Sequence, residues 1–121
     1  MPRTRLLLLT AVVGLLAVVV SAQDAAVVNS RYIQVKLDNN RVRVFETTLQ
    51  PGDKEQLHSH PASVIYVLAG GTTRNHAADG KTTETTLQAG DVVYRDPLIH
   101  WAENIGTTTI RLILVELKDE G

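Results

Sequence analysis

Short stretches in which apolar and polar residues alternate, each closed by a turn signal, most constrain the fold of this 121-residue chain. In Arg41–Glu46, Val42 and Val44 share one face and the charged residues share the other, as in a half-buried strand. Asp79-Gly80 favours a hairpin turn between two further strands. The other predicted strands are Arg31–Leu37, Val64–Leu68, Thr72–His76, Thr82–Leu87, Val92–Tyr94 and Ile110–Leu117. Eight or nine short strands without a helical period predict an all-β protein, a small β-barrel or double-sheet jelly roll.

Three of the four histidines lie where strand pairing can bring them together. His58 and His60 are two residues apart, so on a strand both side chains point to one face, with Cα atoms roughly 7 Å apart. His100 lies on another predicted short strand. Because neutral imidazole is the commonest side-chain metal ligand, this pattern predicts a metal held inside a small barrel. We expect the fourth histidine, His76, to be a solvated hairpin residue.

The first 22 residues are typical of a secretory signal peptide. A basic segment, Pro2–Arg5, precedes the apolar run Leu6–Val20, and residues 20–22 form a signal-peptidase site before Gln23. An uncleaved membrane anchor is the alternative, but the run is short for a span of about 20 residues. No cysteine follows it, which excludes a lipid-anchored lipoprotein. We therefore expect a periplasmic or secreted protein.

Cleavage leaves 99 of the 121 residues, enough for one domain with a modest core. Lys+Arg falls from 12 to 10 against 13 acidic residues, which gives a net charge of −3. This mild acidity, without a basic cluster, argues against nucleic acid or a membrane surface as a partner. Without cysteine, stability depends on barrel packing, oligomerisation or bound metal. We expect a single domain over residues 23–121 with a flexible leader at 23–30.

The histidine pair resembles the first motif of the cupin family. That motif is a glycine, five residues, His-x-His, three or four residues, a glutamate, and about six residues to a second glycine. Gly52, His58, His60 and either Gly70 or Gly71 match it. The glutamate does not match, because positions 64 and 65 are both aliphatic.

The third histidine resembles the second cupin motif, which is a glycine, then Pro-x-Gly, a histidine and, after three residues, an asparagine. Gly90, His100 and Asn104 match, and Pro97 lies near the expected proline, although the spacing from the glycine is one residue short. The resemblance extends over residues 40–117. It implies a small single-domain cupin, whose fold is a double-stranded β-helix.

The resemblance also implies a metal site on His58, His60 and His100, without the usual carboxylate. Three neutral imidazoles leave a divalent ion its full charge and open positions for water or ligand. Such a site suits a transition metal (Fe, Zn, Ni, Cu or Mn) better than Mg or Ca, which prefer oxygen. The alternative is a degenerate pocket in which the histidines only form hydrogen bonds with each other and with water.

No general base is evident from the sequence. We expect the acidic residues of this region in turns or on the outer face: Asp53, Glu55, Glu84, Asp91, Asp96 and Glu103. Tyr66 and Tyr94 are candidates to point inward, and with Asn104 they are the candidate ligand-binding residues. The lining, which also includes Val64 and Leu112, would be largely apolar and suit an aromatic or aliphatic ligand with a polar anchor at the metal.

Two functional classes remain open. The missing carboxylate and base favour a binding protein, a sensor or scavenger of metal or of a small molecule. The histidine set also allows a metal-dependent oxidoreductase, since the cupin-like thiol and diketone dioxygenases have all-histidine sites. A structural cupin with an empty barrel is a third reading. The resemblance implies a homodimer formed through Arg31–Leu37, and Trp101 is expected at the subunit interface.

Overall fold

The computed structural model describes residues 23–119, and the predicted signal peptide, residues 1–22, lies outside them. The elements are β1 (Gln23–Asp24), α1 (Ala25–Val28), β2 (Ile33–Asp38), β3 (Val42–Leu49), β4 (His58–His60), β5 (Ser63–Ala69), β6 (Gly71–Ala77), β7 (Thr82–Leu87), β8 (Val92–Arg95), β9 (Leu98–Asn104) and β10 (Ile110–Leu117). The all-β prediction is confirmed. Within residues 23–119, no helix is long and apolar enough to cross a membrane.

The strands form two five-stranded sheets that enclose a common interior. One sheet has the order β1-β4-β9-β6-β7 and the other the order β2-β3-β10-β5-β8. All pairings are antiparallel except the short β1–β4 pair. Non-consecutive strands are neighbours in both sheets, which is the topology of a double-sheet jelly roll. The predicted hairpin joins β6 and β7, with a loop of residues 78–81 in which Gly80 has a φ of +89°.

The apolar core lies at one end of this interior. Phe45, Ile65 and Leu114 point inward from three strands of one sheet, and Ala25 and Ile33 pack with them. Full burial of an aliphatic or aromatic side chain of this size stabilises a fold by about 1.5–3 kcal/mol. Ile65 and Leu114 also line an interior cavity.

Residues 23–30, predicted to be a flexible leader, contact the barrel through β1 and α1. Asp24 accepts hydrogen bonds from the backbone of Ala26 and begins α1. Ala25 is fully buried, and the side chain of Asn29 accepts a hydrogen bond of 2.7 Å from the backbone N–H of Gln56. These polar contacts fix the segment beside β4, although its sequence has no strand alternation.

Candidate metal centre

The three predicted ligands converge in the interior of the barrel. Strand β4 pairs with β9 so that His58 lies directly opposite His100, and His60 follows on the same face of β4. All three side chains are buried, with 0%, 3% and 5% exposure for His58, His100 and His60. One ring nitrogen from each histidine lies within 4.8 Å of those of the other two. The period-two prediction for this cluster is therefore confirmed.

The far side of each ring is held by an acceptor, which determines where the ring proton lies. The Nδ1–H groups donate to the carbonyl of Gln56 (2.6 Å, from His58), to Oε2 of Glu116 (2.7 Å, from His60) and to Oδ1 of Asn75 (from His100). The amide nitrogen of Asn29 also lies 2.9 Å from Nδ1 of His58. The shorter contact decides the tautomer, because an unprotonated Nδ1 would face the lone pairs of the carbonyl oxygen.

Nε2 of each ring consequently lies on the side turned away from these acceptors. Nε2 of His58 and Nε2 of His60 are 2.9 Å apart, and Nε2 of His100 is buried with no hydrogen-bond partner. Adjacent ligands of one metal, each about 2.1 Å from it, are roughly 3 Å apart. Outward Nδ1–H donation with inward Nε2 atoms is the arrangement of metal-ligating histidines in general.

The protonation states suit a metal. Burial lowers the pKa of His58 to about 4 and that of His100 to about 2, since the charged form is poorly solvated there. The positive charge of Arg95 lowers both values further. Near neutral pH the rings of His58 and His100 are therefore uncharged. A metal ion can bind these two rings without first displacing a proton from either one.

Glu116 is a site residue that the sequence analysis missed. It is 2% exposed, and its Oε1 accepts a hydrogen bond of 2.7 Å from Nε of Arg43 while Oε2 binds His60. Arg43 also pairs with Asp24, so a chain of ionic groups supports the His60 ring. The ring stacks on Phe45, with centroids 5.9 Å apart. A charged residue at the inward parity of a strand, two residues after Leu114, was the available signal.

The glutamate expected from the first cupin motif has no substitute in the cluster. Within the described residues, the potential metal-binding group consists of the three histidines and contains no carboxylate. At the expected position, Ile65 points inward and lines the cavity. The site therefore offers a metal three imidazole ligands and no carboxylate.

The cavity beside the cluster has a volume of about 320 Å³. Both sheets contribute to its wall, and His60 and His100 form part of it. Its aliphatic residues are Leu49, Ile65, Leu87, Val93, Leu98, Ala102, Leu112 and Leu114, and its polar residues besides the histidines are Thr47, Glu55, Thr73, Asn75, Thr83, Thr85 and Arg95. A small molecule in this space would be in reach of the open side of a bound metal.

Glu55 lines this cavity, which corrects the expectation that it lies on the outer face. Its Oε1 accepts a hydrogen bond of 3.0 Å from the backbone N–H of Ala102. Burial raises its pKa to about 7, against the lowering effects of that hydrogen bond and of the charge on Arg95. The residue precedes β4 in an irregular segment, where strand parity gives no prediction. With a pKa of about 7, Glu55 is a candidate general base that the sequence did not reveal.

Tyr66 and Tyr94 do not line the cavity. They are 45% and 59% exposed on the outer face of adjacent strands β5 and β8. Strand β5 is almost wholly apolar, so alternation could not identify its inward face. Ile65 and Val67 are the buried residues, opposite in parity to the prediction. The inward placement of both phenols is therefore corrected.

Asn104 is buried but faces backbone. Its Nδ2 donates to the carbonyls of Leu49 and Thr108 at 2.9 and 2.8 Å, and its Oδ1 accepts from the N–H of Gly106. The side chain joins three segments at the end of β9 and is not part of the cavity wall. Its contacts are those of a structural residue.

His76 and Trp101 form a stacked pair on the other face of the sheet. Their ring centroids are 3.6 Å apart with an interplanar angle of 2°, and Nε2 of His76 lies 2.9 Å from Oε1 of Glu103. His76 is half-buried, which corrects the prediction of a solvated residue. The stack covers one face of Trp101, and its role at a subunit interface stays a prediction.

The sequence and the fold identify the family. A family model of the cupin domain matches residues 45–116, more than half of the chain. The protein belongs to the cupin family, as a small single-domain member that lacks the usual glutamate of the first motif. No curated protein matches the chain.

Solved structures share the fold. A cupin domain from Bordetella pertussis is 25% identical, with a TM-score of 0.66, and the match covers 72% of this chain and 92% of that one. A protein with a double-stranded β-helix domain from Klebsiella pneumoniae is 25% identical, with a TM-score of 0.56 and coverage of 74% and 78%. A predicted oxalate decarboxylase from Thermotoga maritima is 23% identical, with a TM-score of 0.54 and coverage of 72% and 79%.

Proposed function

We propose that this cupin binds a divalent transition metal (Fe, Zn, Ni, Cu or Mn) through Nε2 of His58, His60 and His100, and presents the open side of the ion to a small molecule. The observation that carries the proposal is the grouping of one ring nitrogen from each of three buried histidines within 4.8 Å of one another. Two Nε2 lone pairs 2.9 Å apart repel each other unless a cation lies between them. The low pKa of His58 disfavours a proton in that place, so a metal ion is the better occupant.

Elemental analysis tests this proposal directly. The protein is produced from the full chain without a metal-affinity column, stripped with a chelator and reloaded with each metal in turn. We expect close to one ion per chain. A chain that stays free of metal after reconstitution would reduce the histidines to a hydrogen-bonded remnant and overturn the proposal.

Glu55 favours a second candidate function, a metal-dependent oxidoreductase such as a three-histidine dioxygenase. Bound iron or copper would supply redox chemistry. This chain would contribute a carboxylate at Glu55 that accepts a substrate proton, held toward the cavity by the N–H of Ala102. Oxygen consumption by the metal-loaded protein, screened against small organic acids and phenols, tests for turnover.

The matched pair Glu55→Gln and Glu84→Gln sharpens that test. Glutamine keeps the acceptor for Ala102 but cannot take a proton, and Glu84 is an exposed partner of Arg74 outside the cavity wall. We expect Glu55→Gln to lower kcat roughly 10²–10⁴-fold with metal content unchanged, and Glu84→Gln to leave it unaltered. If the two variants are equally active, Glu55 is not the general base.

We also propose that the mature protein is exported and dimeric. Export rests on the signal peptide predicted at residues 1–22. The homodimer is supported by the exposed apolar side chains of Tyr66, Val92 and Tyr94 on β5 and β8. These strands belong to the same sheet as β2, which overlaps the segment Arg31–Leu37 expected at the interface. Light scattering after gel filtration should give twice the chain mass, and Tyr66→Asp should give the monomer.

A further inference from the structure

Arg95 is a cavity residue whose guanidinium lacks a partner. It lies at the end of β8 and lines the same cavity as His60 and His100. Its Nε is buried and has no hydrogen-bond partner, and within residues 23–119 no carboxylate lies within the 4.0 Å of an ion pair. Since guanidinium carries five N–H donors and stays charged, leaving it unpaired in the interior is costly.

The two carboxylates whose charges act on Arg95 form their hydrogen bonds with other groups. Glu116 is bound by Arg43 and by His60, and Glu55 accepts the N–H of Ala102. Both attract Arg95 only from beyond contact distance, and burial still lowers the pKa of its guanidinium. Burial lowers the pKa of the wall residue His100 to about 2, so near neutral pH that ring contributes no charge. The positive charge of Arg95 is therefore directed at the cavity without an anion to neutralise it.

The other wall residues indicate the size and polarity of a ligand that fits the cavity. Eight of the 17 wall residues are aliphatic, among them Val93 and Leu98 on either side of Arg95 in the sequence. Threonines such as Thr83 and Thr85 add hydroxyl groups from β7. At about 320 Å³ the cavity is at the small end of ligand-binding pockets.

We infer that Arg95 is the anion anchor of this cavity, and that the ligand is a small carboxylic acid bound as its carboxylate, with its carbon skeleton against the aliphatic wall. A planar carboxylate accepts two parallel N–H bonds from one guanidinium. The eight aliphatic wall residues favour an anion with a carbon skeleton over inorganic phosphate, which has no apolar surface to bury. The inference deepens the proposed function, because the same molecule would lie beside the metal.

Binding of small carboxylates and their neutral amides tests the inference. Acetate, hexanoate, benzoate and oxalate, each compared with its amide, and inorganic phosphate are titrated calorimetrically into the metal-loaded protein. We expect at least one carboxylate to bind roughly tenfold or more tightly than its amide. If every amide binds as tightly as its acid, or if phosphate binds more tightly than all the carboxylates, the inference is overturned.

Variants then assign the effect to Arg95. Arg95→Gln should weaken carboxylate binding roughly 10–100-fold. Arg95→Lys should weaken it less, because lysine keeps the positive charge but lacks the paired N–H donors of guanidinium. Arg111→Gln is the matched control, since Arg111 pairs with Glu46 on the exposed side of β10. Unchanged affinity in Arg95→Gln would contradict the assignment.

Two further measurements separate the possible failures. Metal content is determined in every sample, so a protein that binds metal but no carboxylate refutes the anchor and leaves the metal centre in place. Thermal denaturation of Arg95→Met distinguishes an anchor from a structural counter-ion. Removing an unpaired buried charge should keep or raise Tm, whereas a structural role predicts a lower Tm with carboxylate affinity unaffected.

Discussion

Two histidines on opposite faces of one sheet show how differently the same residue can be used. His100 on β9 points inward, while His76 on the neighbouring β6 points outward, where it pairs with Trp101. Both lie in strands, and both are at least half-buried. The indole of Trp101 covers one face of the His76 ring, and Nε2 of His76 contacts the carboxylate of Glu103. In His100 one nitrogen is held by Asn75 and the other has no partner.

The difference lies in what the surroundings leave unsatisfied. The outer pair is complete by itself, so its contacts account for the residue without a ligand. The inner ring is oriented by a fixed acceptor and has a buried nitrogen without a partner, an arrangement that costs free energy unless a cation is bound. The candidate metal site differs from the His76–Trp101 pair in having ring nitrogens that are oriented but lack a partner. The presence of histidine alone does not distinguish the two.

The largest expected effect is loss of metal from the inner cluster. In the double variant His58→Ala/His100→Ala, metal content should fall below roughly a tenth of the wild-type value, because one imidazole is too weak a site. His76→Ala is the matched control and should keep its metal. Elemental analysis after dialysis measures both. If the two variants lose metal equally, the inner and outer histidines do not differ as argued.

Glu116→Gln tests the support behind the inner cluster. The amide oxygen of glutamine is a weaker acceptor than a carboxylate for the hydrogen bond from Nδ1–H of His60. Metal affinity, measured in competition with a chelator, should therefore fall roughly 10–100-fold. The free energy of unfolding should fall by about 2–3 kcal/mol, because Arg43 loses its buried partner. Glu46→Gln, which changes an outer-face carboxylate, should alter neither quantity appreciably. Normal metal affinity in Glu116→Gln would show that the ring needs no such support.

Acidification should destabilise the metal-free protein. His58 and His100 have pKa values of about 4 and about 2 in the fold against an ordinary 6.5, so the unfolded chain binds up to two more protons below pH 6.5. Glu55 opposes this, since its pKa of about 7 lies above the ordinary 4.5 and the fold holds one more proton there. The difference is close to one proton. The free energy of unfolding should therefore fall by about 1 kcal/mol per pH unit between pH 6.5 and 4.5.

The variant Glu55→Gln checks the sign of each contribution. Removing the opposing group should steepen the pH dependence to about 2 kcal/mol per unit over the same window. Urea denaturation of chelator-treated protein at several pH values provides the data. A flat profile in the wild type, or an identical slope in the variant, would show that these groups are not buried as described.

The smallest expected effect belongs to the outer pair. Trp101→Ala removes the ring stack and should lower the free energy of unfolding by about 1 kcal/mol, with metal content unchanged. Denaturation and elemental analysis on the same preparation measure both. Loss of metal in this variant would mean that the two faces of the sheet are coupled, and the contrast between them would fail.

Much of the fold was predictable because it depends on local rules. Alternation in Arg41–Glu46 gave β3, and the Asp79-Gly80 signal gave the hairpin of β6 and β7. Prediction failed at β5, where a run of apolar residues has no polar face to set its parity, and Tyr66 was placed inward instead of outward. The sequence also gave no signal for the contacts of residues 23–30, which depend on side-chain hydrogen bonds to Gln56.

By itself, the sequence determined that His58 and His60 share a face, since side chains two apart on a strand always do. It also determined the order of the two cupin motifs and the absence of the usual glutamate. Only the tertiary structure decided that Glu116 supports the cluster from the last strand, and that Glu55 and Arg95 line one cavity with it. The physical reason is separation along the chain: burial and pairing of charges depend on strand register between distant segments, which local periodicity does not encode.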